Sequence, residues 1–176
     1  MIDPDDSLPL IRRALDEDLG STGDVTTRLL VSPDATARGR IVAREEGVLA
    51  GLDVARRVFA EVDPAVRFEA EAADGDVLYP GRTVARLSGP ARGLLTGERT
   101  ALNFLQRLSG VASLTRRYVQ ALAGTGVAVS DTRKTTPGFR RLEKQAVAAG
   151  GGRNHRMGLW ARILIKDNHE IVAGGV

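Results

Sequence analysis

Leu8, Ile11, Leu15 and Leu19 recur at three- and four-residue steps, which predicts a helix over residues 7–19 with Ser7 as its N-cap and Gly20 as its stop. The polar run 21–27 that follows reads as a loop. Between residues 36 and 90 the pattern shortens into an α+β unit. Residues 38–43 and 47–50 are strand candidates, and 53–62 is a helix with Val54, Val58 and Phe59 inward. Residues 66–72 alternate apolar and charged positions as a half-buried strand does, and 83–87 is a further strand, with Asp74-Gly75 and Pro80-Gly81 marking turns. Charges alternate outward throughout, so the unit reads as scaffold or lid.

Pro90 opens a longer apolar stripe through Leu94, Leu95, Ala101, Leu102, Leu105 and Leu108, which predicts a helix broken at Gly110 and a second one over about 111–123. Arg99, inside Gly97-Glu-Arg-Thr100, reads from the pattern alone as a solvated helix charge. Val127–Ser130 is a short apolar strand candidate, and Asp131-Thr-Arg-Lys leaves its C-terminal end. Thr136 is placed to cap the next helix with Pro137 in its first turn, and Phe139, Leu142, Ala146 and Ala149 give that helix one buried face, with Gly150 as C-cap. Ile163–Ile165 is a second strand candidate that delivers Lys166-Asp-Asn-His169. Strand, charged loop, helix, strand, charged loop is a βαβ pattern, and in parallel α/β sheets ligands bind at the C-terminal ends of the strands.

Charge sharpens this picture. The 176 residues carry a net charge of only +3, yet residues 131–169 hold nine Lys or Arg (Arg133, Lys134, Arg140, Arg141, Lys144, Arg153, Arg156, Arg162, Lys166) against three acids, while residues 1–130 are net −2. All three lysines and both histidines, His155 and His169, lie in that window. A chain that prefers Arg so strongly elsewhere points to these lysines as positions that need a compact point charge. Phe139 and Trp160 are the window's only aromatics, too few for a base-stacking platform, so a small polyanion fits better than nucleic acid. Arg133, Lys134, Arg153, Arg156 and Lys166, brought together from two loops, would repel one another without an anion and suit a ligand with several carboxylates or phosphates.

Other classes fall away. The apolar fraction of 43% and charged fraction of 27% are those of a globular protein. No run of about 18 apolar residues is present, so no membrane partner is expected. The acidic start Met-Ile-Asp-Pro-Asp-Asp is unlike a secretory leader, and a cytoplasmic location is expected. Zero cysteines exclude disulfides and thiolate metal sites. There is no P-loop motif, and His155 and His169 lack metal-ligand spacing with a carboxylate.

Asp131-Thr-Arg-Lys-Thr-Thr-Pro-Gly138, Leu142-Glu-Lys144, Gly150-Gly-Gly-Arg-Asn-His-Arg-Met-Gly-Leu159 and Leu164-Ile-Lys-Asp-Asn-His169 together resemble quinolinate phosphoribosyltransferase. Gly97-Glu-Arg-Thr-Ala-Leu-Asn103, Glu17-Asp-Leu-Gly20 and Gly23-Asp-Val-Thr-Thr27 fit the same family, so the resemblance runs through nearly the whole chain. It implies an α/β fold: an N-terminal α+β domain with the long connecting helix (1–110), then the beginning of a parallel, TIM-like α/β barrel (111–176). The implied reaction joins quinolinate to phosphoribosyl pyrophosphate with Mg²⁺, giving nicotinate mononucleotide, pyrophosphate and CO₂ in NAD biosynthesis. Carried over by motif, Thr132, Arg133, Lys134, His155, Arg156 and Lys166 line the anion site, with Lys134 and Lys166 catalytic. Arg99 matches an arginine offered by the neighbouring subunit of a homodimer with a shared active site.

Two departures set further expectations. Ala161 stands where the family commonly has an aspartate, which puts local support of the second strand in doubt. The family's later carboxylates, which help place Mg²⁺ and ribose, have no counterpart before Val176, so the chain reads as a truncated form with little or no activity alone. Two alternatives stand beside it: a paralogous phosphoribosyltransferase of a molybdenum-transport operon, and a non-catalytic remnant that pairs with an intact homologue.

Overall fold

A computed structural model describes residues 7–175. Its elements run α1 (Leu8–Leu19), α2 (Val25–Leu30), β1 (Thr36–Val42), β2 (Gly47–Val48), α3 (Leu52–Val62), β3 (Arg67–Ala70), β4 (Val77–Leu78), β5 (Thr83–Pro90), α4 (Ala91–Ala121), α5 (Arg140–Ala149) and α6 (Asp167–Ala173). A three-stranded antiparallel sheet has β5 at its centre between β1 and β3, and β2 and β4 form a separate two-stranded ribbon. The α/β class expected from the sequence is observed, as a sheet-bearing N-terminal part followed by a helical C-terminal part.

The core explains why α4 is the spine. One buried cluster joins Ile11 and Leu15 of α1, Leu52, Val54, Ala55, Val58 and Phe59 of α3, Val84 and Leu87 of β5, Phe104, Leu105, Leu108 and Ala112 of α4, and Leu142 and Ala146 of α5. Gly110 does not break this helix, contrary to the sequence reading. Its own position is exposed, while the buried stripe runs on unbroken through Leu108, Ala112 and Thr115. Glycine costs about 1 kcal/mol in a helix. Burying a single leucine contributes about 1.5–3 kcal/mol, so packing on either side wins.

Other local expectations shift for identifiable reasons. Ser7 stands at the N-cap of α1 but makes no side-chain cap hydrogen bond, because it is itself in the helical region and the helix has a proline in its first two positions. That residue, Pro9 at the second helical position, lacks one of the two N–H groups that such a cap can bond. The 21–27 loop ends earlier than expected, since Asp24 is extended, accepts the Thr27 N–H at 2.9 Å and starts α2. Its other oxygen takes the Thr96 hydroxyl at 3.2 Å, which ties α2 to α4. In α3 the cap comes from far along the chain: Asp74 accepts the N–H groups of Gly51 and Leu52 at 2.9 and 3.0 Å.

Gly150 does stand at the C-cap of α5, but with an ordinary helical φ of −71°, and Gly151 carries the positive φ of 91°. Space is what requires glycine at position 150. A Cβ there would lie 2.4 Å from the Ala112 carbonyl oxygen and 2.7 Å from Thr115 Cβ. Gly150→Ala should therefore destabilise the chain by about 1–3 kcal/mol through overpacking, measured by urea unfolding. Wild-type stability would show that α4 and α5 can separate without cost.

The two barrel strands are the largest difference. Of Val127–Ser130 only Ser130 pairs, in a single parallel bridge to Arg153. Ile163–Ile165 is not a strand: its residues are exposed, Ile163 at 92%. With no neighbouring strand to accept and donate backbone bonds, an apolar run stays extended coil whatever its propensity. The parallel partner is instead the segment just after α5.

Candidate anion-binding site

That bridge brings the two cationic loops side by side. Arg153 N–H donates to the Val129 carbonyl at 2.8 Å and Asp131 N–H donates to the Arg153 carbonyl at 3.0 Å. Asp131 then fastens the loops with its side chain. Its Oδ1 accepts the His155 N–H at 2.8 Å and the ammonium of Lys144. Lys144 also donates to the His155 carbonyl at 3.1 Å. The Asn154 amide, with its nitrogen facing inward, donates to the Lys144 carbonyl at 2.9 Å and to Asp131 Oδ2 at 2.7 Å. Lys144 is buried to 1% exposure in the middle of this network. By residue pattern Lys144 is one more cation of the window, and its buried place between the loops follows only from contacts distant in sequence. Its one available signal was that all three lysines of an Arg-rich chain fall in this window.

The far end of the first loop is held too. Thr136 does not cap α5, which begins only at Arg140. Its N–H and hydroxyl donate to the two oxygens of Glu143, at 3.1 and 2.8 Å, and Arg107 of α4 donates to the same carboxylate at 2.7 Å. Burial pushes the Glu143 carboxyl up, but the hydrogen bonds from Arg107 and Thr136 and the Arg107 charge outweigh it and hold it below the usual value of 4.5. A depressed native pKa makes the carboxylate's contribution to stability fully present above the unfolded value, and lost as pH falls through the native one. Acid unfolding followed from pH 6 to 3 should therefore show a loss below about pH 4.5 that Glu143→Gln reduces; an unchanged profile would exclude Glu143 from that transition.

Between these anchors lie the residues read as the site. Thr132 Oγ1 accepts the Lys134 N–H at 3.0 Å, which turns the loop and leaves Lys134 exposed. Arg133 is half-buried, and its Nε is buried with no hydrogen-bond partner. Arg156 is buried at 7% and donates to the Arg162 carbonyl at 3.0 Å. Thr132, Arg133, Lys134, His155 and Arg156 thus belong to two loops joined through Asp131. Arg99 and Lys166 are not tied to them: Arg99 is on the exposed face of α4, between the buried Gly97 and Thr100, and Lys166 is exposed at the start of α6. His169 has a local role, since its Nδ1 accepts the Lys166 N–H at 3.0 Å.

The family model for the N-terminal domain of quinolinate phosphoribosyl transferase matches residues 24–109, and the model for its C-terminal domain matches residues 111–176. The chain belongs to the quinolinate phosphoribosyltransferase family. It is 43% identical over 167 residues to quinolinate phosphoribosyltransferase [decarboxylating] 1b of Nicotiana tabacum, covering 95% of this chain and 47% of that protein. It is 46% identical over 160 residues to the probable nicotinate-nucleotide pyrophosphorylase [carboxylating] of Bacillus subtilis, covering 91% and 55%. The crystal structure of NadC from Streptococcus pyogenes superposes with a TM-score of 0.94 at 45% identity, covering 100% of this chain and 62% of that one. The chain spans about half the length of the curated relatives it matches. Among the described residues no helix is long and apolar enough to cross a membrane.

Proposed function

We propose that the two loops form the anion site of a decarboxylating phosphoribosyl transfer, in which quinolinate and phosphoribosyl pyrophosphate give nicotinate mononucleotide, pyrophosphate and CO₂. One observation carries this reading: the backbone bonds that Val129 and Asp131 make with Arg153 set two cationic loops side by side, with Lys134 and Arg153 exposed on them. Like charges held this close are relieved by an anion with several carboxylate or phosphate oxygens.

The chemistry asks little else of the protein. The quinolinate ring nitrogen displaces pyrophosphate from the ribosyl carbon, a centre with oxocarbenium character as the bond breaks. Arg133 and Arg156 fix carboxylates, and Lys134 and Lys166 place point charges where the leaving group and the second carboxylate carry theirs. His155 and Thr132 supply hydrogen bonds from the same two loops. Loss of CO₂ leaves an electron pair on the ring carbon beside the quaternised nitrogen, and a proton from solvent completes the product. None of these residues has to act as a general base.

Arg99 reaches this site from a second subunit of a homodimer, and α4 contains the boundary between the two domains near residue 110. A cytoplasmic location goes with soluble substrates of this kind. The residues here do not fit a Mg²⁺ site of their own. Among the described residues no three His, Asp or Glu side chains gather, and Asp131 and Glu143 are committed to Lys144 and to Arg107. Any magnesium accompanies the phosphates of the donor, and no step is drawn through it.

Calorimetric titration of the purified chain tests the proposal. Quinolinate should bind measurably more tightly than nicotinate, which lacks the second carboxylate. Equal affinity for the two, or no binding of quinolinate, would remove the dicarboxylate reading.

A further inference from the structure

The residues that reach the anion are held by residues that do not. Arg140, Glu143 and Lys144 are spaced i, i+3 and i+4, so they share one flank of α5. Each reaches into a loop. Arg140 donates from Nε to Thr135 Oγ1 at 3.1 Å and from one terminal nitrogen to the Met157 carbonyl at 3.4 Å. Glu143 accepts both donors of Thr136. Lys144 meets Asp131 and the His155 carbonyl. The first loop is therefore gripped at Asp131, Thr135 and Thr136, on both sides of Thr132–Lys134, and the second at His155 and Met157, on both sides of Arg156. All of these bonds come from one turn of one helix.

From this geometry we infer that the Arg140–Glu143–Lys144 flank of α5 is a two-loop clamp. It sets the spacing between the Thr132–Lys134 loop and the His155–Arg156 loop, and so sets affinity for a dicarboxylate without touching it. These are positioning residues. The physical case is that two carboxylates on one small ring must be met at once, which a rigid pair of loops does at low entropic cost and two independently mobile loops do not. The opposite flank of the helix explains the rigidity of the clamp itself. Leu142 and Ala146 are buried in the core against α4, and α5 cannot turn to release one loop without exposing them.

The inference rests on the proposed dicarboxylate site for its functional half, and the experiment separates the two. Arg140 is the residue to change, because it is partly buried and its bonds are to a hydroxyl and a carbonyl, so Arg140→Gln leaves no orphaned charge. Hydrogen–deuterium exchange on the whole chain is the first measurement. Arg140→Gln should speed exchange at residues 132–136 and 154–158 together, with α3 and the buried stripe of α4 unchanged. Uniform acceleration would mean that Arg140 only stabilises the fold, and acceleration of one loop alone would break the two-loop clamp; either overturns the inference.

Quinolinate titration is the second measurement. Affinity should fall by about tenfold in Arg140→Gln, the loss expected for one to two hydrogen bonds, and be partly restored in Arg140→Lys. Wild-type affinity in the Gln variant would overturn the positioning role. If the unmodified chain binds no quinolinate, the proposed function fails while the exchange result still decides the clamp.

Discussion

Lys144→Met should destabilise the chain by about 3–5 kcal/mol, the usual cost of removing one partner from a buried ion pair. The side chains of Lys144 and Asp131 are 1% and 6% exposed, so neither charge can turn to water when the other is removed. Methionine fills the volume but leaves Asp131 with its negative charge and only the neutral donors His155 N–H and the Asn154 amide. The lost bonds also free the His155 carbonyl, which Lys144 holds at 3.1 Å. The double variant Asp131→Asn with Lys144→Met is expected to recover a large part of the loss, because no unpaired charge remains. Urea denaturation of the three proteins measures this. A Lys144→Met loss under about 1 kcal/mol, within the range of an exposed pair, would show that the pair is not buried in solution.

Lys134→Ala should leave stability near wild type but weaken quinolinate binding by about ten- to a hundredfold. Lys134 is exposed, and its tie to the loop is through its backbone, to Thr132 Oγ1, so truncating the side chain leaves that bond in place. Its ammonium is in consequence available to a ligand, and a charge-assisted hydrogen bond to a carboxylate is worth about 1.5–3 kcal/mol. The two lysines thus make opposite predictions. Lys144→Met should lower the unfolding midpoint, and Lys134→Ala should lower affinity at an unchanged midpoint. Raising the salt concentration should weaken the wild-type complex and narrow its difference from Lys134→Ala, since exposed charges are screened. Unchanged binding would take Lys134 out of the site.

The placement of α5 separates these two behaviours. Glu143 and Lys144 are adjacent in the chain, and both are buried, but one faces Arg107 and Thr136 and the other Asp131 and His155. The cations of the window thus divide into those carried on the loops and those of α5 that hold the loops in place. On the loops Lys134 is exposed, Arg133 half-buried and Arg156 buried against the Arg162 carbonyl; Arg140 and Lys144 hold those loops.

Of the window's two aromatics, Phe139 stacks on Phe104 with centroids 5.7 Å apart and Trp160 is exposed, and one exposed ring is too few for a base-stacking platform. Small-anion chemistry remains the consistent reading of that charge.

Much was legible in the residues alone. Helical periodicity located α1, α3, α5 and, apart from the expected break at Gly110, α4, because each buries a stripe repeated every three to four residues; alternation located β3, and the strand candidates 38–43 and 83–87 overlap β1 and β5. The motifs around Asp131, Gly150 and Lys166 marked the family. Contacts distant in sequence were not legible. Whether Gly110 breaks a helix depends on what lies against its neighbours, and whether Ile163–Ile165 is a strand depends on a partner strand. Gly150 is required by the Ala112 carbonyl, 38 positions away in the numbering of the chain. Above all, local pattern treats Lys144 as one more surface cation. Only the tertiary structure, by bringing Asp131 and the His155 carbonyl around it in a water-excluding site, makes it the centre of the two loops, because burial turns an ordinary charge into one that must be paired.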